Sequence, residues 1–382
     1  MSPITQAEGF GLESVARDGA ARRGRLVTPH GVIDTPNFMA VATFGAVRGI
    51  SATELAEAGA QILLSNTYHL HERPGEATVQ TLGGLHGFTG WRGPWLTDSG
   101  GFQVTSLSDR ARVDESGVTF TSPLDGQRRT LTPENTIGIQ EALGSDIAMV
   151  LDECIPVTTS EDGEPDTSRM NRAMERTLRW AERAQRARQR ASQAVFAIVQ
   201  GGASETLRRA SAKATAGLEF DGYAHGGLGL GETREQRRSA VATANAALPA
   251  DRPRYLMGLG KPLDLLDGIA VGVDLFDCVV PTRNGRHGLL FTSQGSLSLR
   301  NARFAADSEP VDPACSCPAC RDHSRGYLRH LIKTGESLGS RLASLHNLTY
   351  YFNLMRRARA AIEQGTFPDL HGEIEALAEV RL

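Results

Sequence analysis

Eight short apolar runs rich in β-branched and aromatic residues punctuate this chain: "NFMAVAT", "AQILLSNT", "PWLTDSG", "DIAMVLDEC", "AVFAIVQGG", "DGYAHGGLGLG", "RYLMGLGK" and "VDLFDCVVPT". Between most of them lie stretches such as "SATELAEAG", "SETLRRASAKATAG" and "TREQRRSAVATANAAL", whose apolar spacing and alanine content fit helices. Eight strands alternating with helices over roughly 250 residues predict an α/β chain folded as a (β/α)8 TIM barrel, with a doubly wound open sheet as the alternative. A barrel builds its active site at the C-terminal ends of its strands, so the residues that close these runs should carry chemistry. They include Asp98 before Ser99-Gly100-Gly101, Asp152 before Glu153-Cys154, Gln200 before Gly201-Gly202, the turn Gly226-Gly227-Leu228-Gly229, and Asp277 before Cys278. Carboxylates and an amide beside bare backbone suit a flat, hydrogen-bonding ligand. "GGLGLGE" lacks the acidic partner of a dinucleotide motif, and no Walker loop is present.

A second feature is "ACSCPACRDH", which places three of the five cysteines at 315, 317 and 320. The N-terminal "MSPITQAEGFGLES" shows no basic segment followed by an apolar one, and no run is long enough to cross a membrane, so the expectation is a cytoplasmic enzyme. In a reducing compartment the cysteine cluster reads as a metal site, with Cys154 and Cys278 as free thiols. A tetrahedral site needs a fourth ligand, for which His323, His330 and His346 are candidates.

Charge is segregated although the formal net charge is only −3. From Cys278 to Ala306 there is no acid, while Arg283, Arg286, Arg300 and Arg303 are present, and Arg321, Arg325, Arg329, Lys333 and Arg341 follow. That local field suits a polyanion. The run "RMNRAMERTLRWAERAQRARQR" reads as a helix with a solvated basic face, and "TTSEDGEPDTS" as a solvated loop.

Taken in order, "TPNFMAVAT", "SNTYHLHERPG", "LTDSGGFQV", "LDECIP", "VQGG", "GGLGLGE", "MGLGKP", "GVDLFDCVVPTRNGRHG", "CSCPAC" and "SLHNL" resemble the successive motifs of bacterial tRNA-guanine transglycosylases over about residues 25–355. The resemblance implies a barrel with an inserted zinc-binding subdomain: residues 1–300 as catalytic barrel, 301–346 as zinc subdomain, and 347–382 as a C-terminal helical segment packing back on the barrel. It also implies exchange of guanine at the tRNA wobble position for a 7-deazaguanine, with the anticodon loop as partner and a homodimer as the working form. Exchange with retained configuration calls for two displacements, hence a nucleophile and an acid/base. The family pattern puts the nucleophile at Asp277 and the acid/base at Asp98. Asp274 is the rival, but positions 274 and 277 face opposite sides of a strand. The resemblance also implies that the "HNL" motif supplies the fourth zinc ligand, giving Cys315, Cys317, Cys320 and His346 as holders of one structural zinc per subunit.

For the base, Asp152 and Gln200 would read the purine edge, Gly227 and Leu228 would offer main chain, and Phe102 and Met257 would clamp the faces. Lys261, Arg283 and Arg286 match positions that hold the anticodon-loop backbone. Ala40 and Ala42 depart from the family's usual Pro and Gly. Cys154 and the bulky Leu230 favour the small base preQ1 over queuine, although Gly229 frees some space. Two other functions compete: a non-catalytic tRNA-binding subunit of the same fold, which would be expected to lack the carboxylates, and a metal-dependent amidohydrolase built on His69, His71 and His225.

Overall fold

The computed structural model describes residues 6–107, 111–155 and 166–382. Most of "TTSEDGEPDTS" lies outside the described residues. An antiparallel sheet comes first: β1 (Gly11–Asp18), β2 (Ala21–Thr28) and β3 (Gly31–Thr35). The barrel opens with β4 (Asn37–Val41), β5 (Leu63–Ser65) and β6 (Trp95–Thr97). A second antiparallel sheet, β7 (Arg112–Asp114), β8 (Gly117–Thr121) and β9 (Arg128–Leu131), is inserted after β6. The barrel resumes with β10 (Ile147–Met149), β11 (Ala194–Val199), β12 (Gly222–His225), β13 (Arg254–Leu256) and β14 (Leu275–Cys278). All eight barrel strands are parallel, and β14 closes on β4 with Leu275 beside Asn37 and Cys278 beside Ala40. Each of the eight apolar runs therefore supplies one strand.

Local sequence starts the helices where the alternation requires them. Ser51 accepts from the Glu54 N–H while Glu54 reaches back to the Ser51 backbone, so the first helix, Ala52–Ala58, begins in a capping box. Thr233 and Gln236 do the same for Arg234–Asn245. In the long basic helix Thr167–Ala187, Met170, Met174 and Trp180 are buried, while Arg176 and Arg179 pair with Glu115 at 3.0 and 2.8 Å and Arg183 with Glu134 at 2.7 Å.

Two buried carboxylates tie the N-terminal sheet to the N-terminal end of the barrel. Asp274 takes the Arg22 guanidinium and the Arg254 N–H. Asp146 takes His30 Nδ1 at 2.7 Å and the Trp95 N–H at 2.8 Å, and His86 stacks on His30 with ring centroids 3.5 Å apart. Rings stacked that closely cannot both direct in-plane lone pairs at one ion, so this trio reads as a hydrogen-bonded fastening.

After the barrel, the hairpin β15 (Leu289–Thr292) and β16 (Gly295–Ser298) and the helices Pro318–Asp322 and Arg325–Thr334 enclose a separate apolar cluster. Leu290, Leu297 and Leu299 belong to that cluster, so the hairpin goes with it and not with the expected barrel segment 1–300. The helix Ser337–Gln364 runs unbroken through residue 346, where a boundary was expected, and His346 sits well inside it. Its N-terminal half crosses the helix Val280–Arg286 at backbone contact: a Cβ at Gly285 would lie 2.7 Å from Ser344 Cα. Its C-terminal part packs against β1, β2 and β4, so one rigid rod joins the cysteine-bearing cluster to the barrel.

Candidate active site and metal centre

At the C-terminal ends of the strands lies a cavity of about 490 Å³ lined by Asp98, Asp152 and Asp277, with Phe102, Met257 and Val279 among its apolar walls. Each carboxylate is held by a different set of donors. Asp98, which follows β6, accepts from Asn66 Nδ2 at 2.5 Å, Gln103 Nε2 at 2.9 Å and the backbone N–H groups of Thr67 and Gly100 at 2.9 and 3.2 Å. Asp277 on β14 accepts the Tyr255 hydroxyl at 2.6 Å and the Gly258 N–H at 2.7 Å. Both bonds fall on Oδ1, and Oδ2 carries none among the described residues. Asp152, which follows β10, takes Gln200 Nε2 at 2.6 Å.

Burial sets the proton affinities here. It pushes Asp98 up to about 6, against its three main donors and with the Asp277 charge adding to it. Burial likewise lifts Asp152 to about 7, aided by the charges of Asp98 and Glu153 and opposed by Gln200. Asp277 is raised by the same cause, with Tyr255 and Gly258 opposing. These carboxyls bind protons in the folded chain that the unfolded chain has already released, so stability falls as pH rises through the interval from the ordinary carboxylate value towards 7. Replacing Asp152 by asparagine, which keeps an acceptor for Gln200, is therefore expected to raise the melting temperature at pH 8 and leave it nearly unchanged at pH 4. The gain at pH 8 should be on the order of 1–4 kcal/mol. An equal difference at the two pH values would show that the buried charge is not its source.

The remaining candidates divide. Phe102, half exposed, and Met257 line the cavity, as do Gly227, Leu228, Gly229 and Leu230. Gly227 has φ +65, and a Cβ there would lie 2.4 Å from Gln200 Oε1, so only glycine fits this turn. Gln200 itself does not line the cavity. It lies behind Asp152, drawn there because a buried carboxylate needs a donor. Lys261, Arg283 and Arg286 also lie off the cavity, at the starts and ends of the helices Pro262–Ala270 and Val280–Arg286 that follow β13 and β14. Lys261 and Arg283 are exposed, and burial, followed by the nearby charges of Arg48 and Arg283, lowers the proton affinity of the half-buried Arg286. Of the more distant cations, Arg321, Arg325 and Arg341 are paired with Asp322, Asp307 and Glu54, so much of that expected excess is neutralised locally. Asp274 is far from this chemistry, bound to Arg22.

Sequence reasoning passed over Asn66, Thr67, Gln103, Tyr255 and Glu232. Asn66 and Thr67 follow β5, so the rule that polar residues ending a barrel strand matter would have found them. Tyr255 lies inside β13, between Arg254 and Leu256, and does not close its strand, so it carries no such signal. Glu232 accepts the N–H groups of Gly229 and Leu230 at 2.5 and 3.0 Å, gripping the turn that walls the cavity.

Beyond the barrel, Cys315, Cys317, Cys320 and His346 bring one ligand atom each within 4.8 Å of one another. His346 Nδ1 stands 3.2 Å from Cys320 Sγ and 3.5 Å from Cys317 Sγ, while Nε2 lies 2.8 Å from the Phe291 carbonyl. A proton on Nε2, donated to that carbonyl, leaves Nδ1 as the lone-pair nitrogen aimed at the thiols, the arrangement a metal-ligating imidazole takes. Three thiolates and an imidazole are a donor set that fits zinc. Next to it, Asn347 donates to the carbonyls of Pro281 and Leu289 and accepts from Phe291 N, which fixes the helix in register. His323 packs on Tyr327 and His330 is exposed; neither joins the cluster. Nor do His69, His71 and His225 gather: His71 pairs with Glu76 and His225 with Asn245, and among the described residues they form no metal-binding group. The amidohydrolase reading fails on that count.

A family profile described as Queuine tRNA-ribosyltransferase matches residues 18–378. Proteins named Queuine tRNA-ribosyltransferase include one from Thermus thermophilus that is 50% identical over 364 residues, covering 95% of this chain and 93% of that one. Another, from Stenotrophomonas maltophilia, is 51% identical over 92% of this chain and 93% of its own length. A third, from Thiobacillus denitrificans, is 49% identical over 94% and 96%.

Proposed function

This chain belongs to the queuine tRNA-ribosyltransferase family and is a tRNA-processing transferase, and we propose that it replaces guanine at the wobble position of GUN-anticodon tRNAs with preQ1, a step of queuosine biosynthesis. The observation that carries this reading is the placement of Asp98 and Asp277 in one cavity, each held by its own donors, with Asp152 beside them.

In this reading Asp277 Oδ2 attacks the ribose anomeric carbon as the bond to guanine breaks. Asp98, whose proton affinity burial raises toward neutrality, protonates the departing base. The incoming base returns a proton to Asp98 and displaces the Asp277 carboxylate, so two inversions restore the original configuration. Asp152 accepts from the purine's N–H donors. A purine carbonyl entering beside it gives Gln200 an alternative acceptor, and Gly227 and Leu228 present main chain. Phe102 and Met257 cover the ring faces. Lys261, Arg283 and Arg286, with Arg48, supply charge for the anticodon-loop backbone. Cys315, Cys317, Cys320 and His346 would hold one zinc; four protein ligands leave no open position, so its contribution is cohesion between the cysteine loop and the long helix. A cytoplasmic homodimer completes the reading. The alternative, a non-catalytic tRNA-binding subunit, is disfavoured because both carboxylates are present.

The test is exchange of labelled guanine into a tRNA with a GUN anticodon by the purified, zinc-loaded protein. No exchange would sink the enzyme reading.

The choice of preQ1 rests on Leu230, which lines the cavity, and on Leu259, which fills the space a side chain at Gly229 would take. Leu230→Gly is expected to improve use of queuine relative to preQ1 by at least about tenfold in kcat/KM. Equal use of the two bases by the unmodified enzyme would overturn the preference.

A further inference from the structure

Arg208 projects from the helix Glu205–Ala216 into the interior and is fully buried, yet among the described residues no carboxylate lies within ion-pair distance of it. Its guanidinium is spent on backbone instead. Nε donates to the Gly202 carbonyl at 2.6 Å, Nη1 to Val199 at 2.8 Å, and Nη2 to Gly226 at 2.6 Å with a longer contact to Gly227 at 3.5 Å. These carbonyls belong to the ends of two neighbouring strands, β11 and β12, so one side chain bridges the turn after each. A buried cation with no carboxylate in contact is expensive, and burial lowers its proton affinity to about 10, against the nearby Glu232 charge and still well above neutrality.

The turn it grips walls the cavity. Gly227 packs on Gln200, and Gln200 in turn donates to Asp152. From the other side Glu232 takes the amides of Gly229 and Leu230. Between these two clamps the Leu228 backbone N–H and C=O make no hydrogen bond among the described residues, and Leu228 lines the cavity. We propose that Arg208 is a positioning residue for base recognition: by drawing the Gly226 and Gly227 carbonyls away from the cavity it leaves the Leu228 main chain facing the base and keeps Gln200 seated on Asp152. Lysine cannot substitute, because a single ammonium cannot span carbonyls contributed by two strand ends as a planar fork does. The inference rests on the base-exchange reading above.

Arg208→Lys tests it, with guanine affinity measured by equilibrium dialysis and exchange kinetics measured with base and tRNA varied separately. The expected result is a loss of about 100-fold in kcat/KM for the base, mainly through KM, with weaker guanine binding in proportion. KM for tRNA, zinc content and the circular dichroism spectrum should stay near those of the unmodified protein. Unchanged guanine affinity overturns the inference, and so does a parallel fall in base affinity, tRNA affinity and melting temperature, which would mark a purely structural arginine. Should Arg208→Lys not fold, Gly227→Ala presses on Gln200 from the other face of the same turn, and intact guanine affinity in that variant overturns the inference equally. Absence of exchange by the unmodified protein is a separate outcome: it removes the functional reading, while guanine affinity still judges Arg208.

Discussion

Asp277→Asn is expected to abolish base exchange while leaving the fold, the metal and tRNA binding intact. The side chain is nearly isosteric, and its carbonyl oxygen can keep both bonds now made by Oδ1, from the Tyr255 hydroxyl and the Gly258 N–H. What disappears is the negative charge on the oxygen that attacks the ribose. Removal of a nucleophile that acts in concert with its partners costs on the order of 10⁴-fold or more in kcat. Stability should not suffer. The carboxyl's proton affinity is raised by burial, so the ionised form is a cost in the folded chain that the amide does not carry. Two measurements check the assignment: guanine exchange, and a denaturing gel of enzyme incubated with tRNA, on which the unmodified protein should give a tRNA-shifted band and the variant none. A covalent adduct trapped with the asparagine variant would overturn the assignment of the nucleophile. The same assay on Asp274→Asn serves as contrast, since that carboxylate is bound to Arg22 away from the cavity and its loss should appear in the melting temperature before it appears in adduct formation.

The distinction between those two aspartates was legible in the sequence because strand periodicity is rigid: three residues apart on one strand means opposite faces. The eight barrel strands were legible for a related reason. Buried on both sides, they are near-continuous apolar runs, and nothing else in the chain has that pattern. The three antiparallel additions were not. β1 reads "GLESVARD" and β2 "ARRGRLVT", each with three charged residues in eight and no clean alternation, and such a pattern cannot be told from a polar loop without its partner strand. The helix Ser337–Gln364 was expected only within 347–382 because its first turns, "SLGSRLAS", contain a glycine and three serines, poor helix formers. Packing explains that glycine: a Cβ at Gly339 would lie 2.6 Å from Leu331 Cβ, so close approach of two helices overrode intrinsic propensity. In the site itself, the acceptors were visible and their donors were not. Asp98, Asp152 and Asp277 stand out as carboxylates at strand ends, whereas Gln103 and Tyr255 become partners only through chain folding. The bond from Gln200 to Asp152 was hidden for the same reason: nothing in "VQGG" says that a carboxylate 48 positions earlier will also engage the Gln200 amide.

The metal centre offers the other large effect, because there the chain's connectivity depends on four side chains. His346→Ala is expected to lower metal content and thermal stability together, whereas His323→Ala should change neither appreciably. His346 is fully buried in the middle of the helix that joins the cysteine-bearing cluster to the barrel, with Nδ1 facing the thiols and Nε2 near the Phe291 carbonyl. Structural metal binding is coupled to folding, so losing a ligand removes binding energy from the folded state alone. Taking roughly 3 kcal/mol as the minimum loss, the melting temperature should fall by about 5–10 °C. Alanine also leaves a cavity and an unpaired carbonyl, which would lower the melting temperature without any metal. A chelator separates the two causes. It should destabilise the unmodified protein and His323→Ala strongly, and His346→Ala hardly further, because in that variant the metal's contribution is already gone. The ligand assignment is lost if His323→Ala releases the metal while His346→Ala retains it. If the chelator affects all three proteins equally, His346 stabilises the helix by packing alone and the cysteines take their fourth ligand elsewhere.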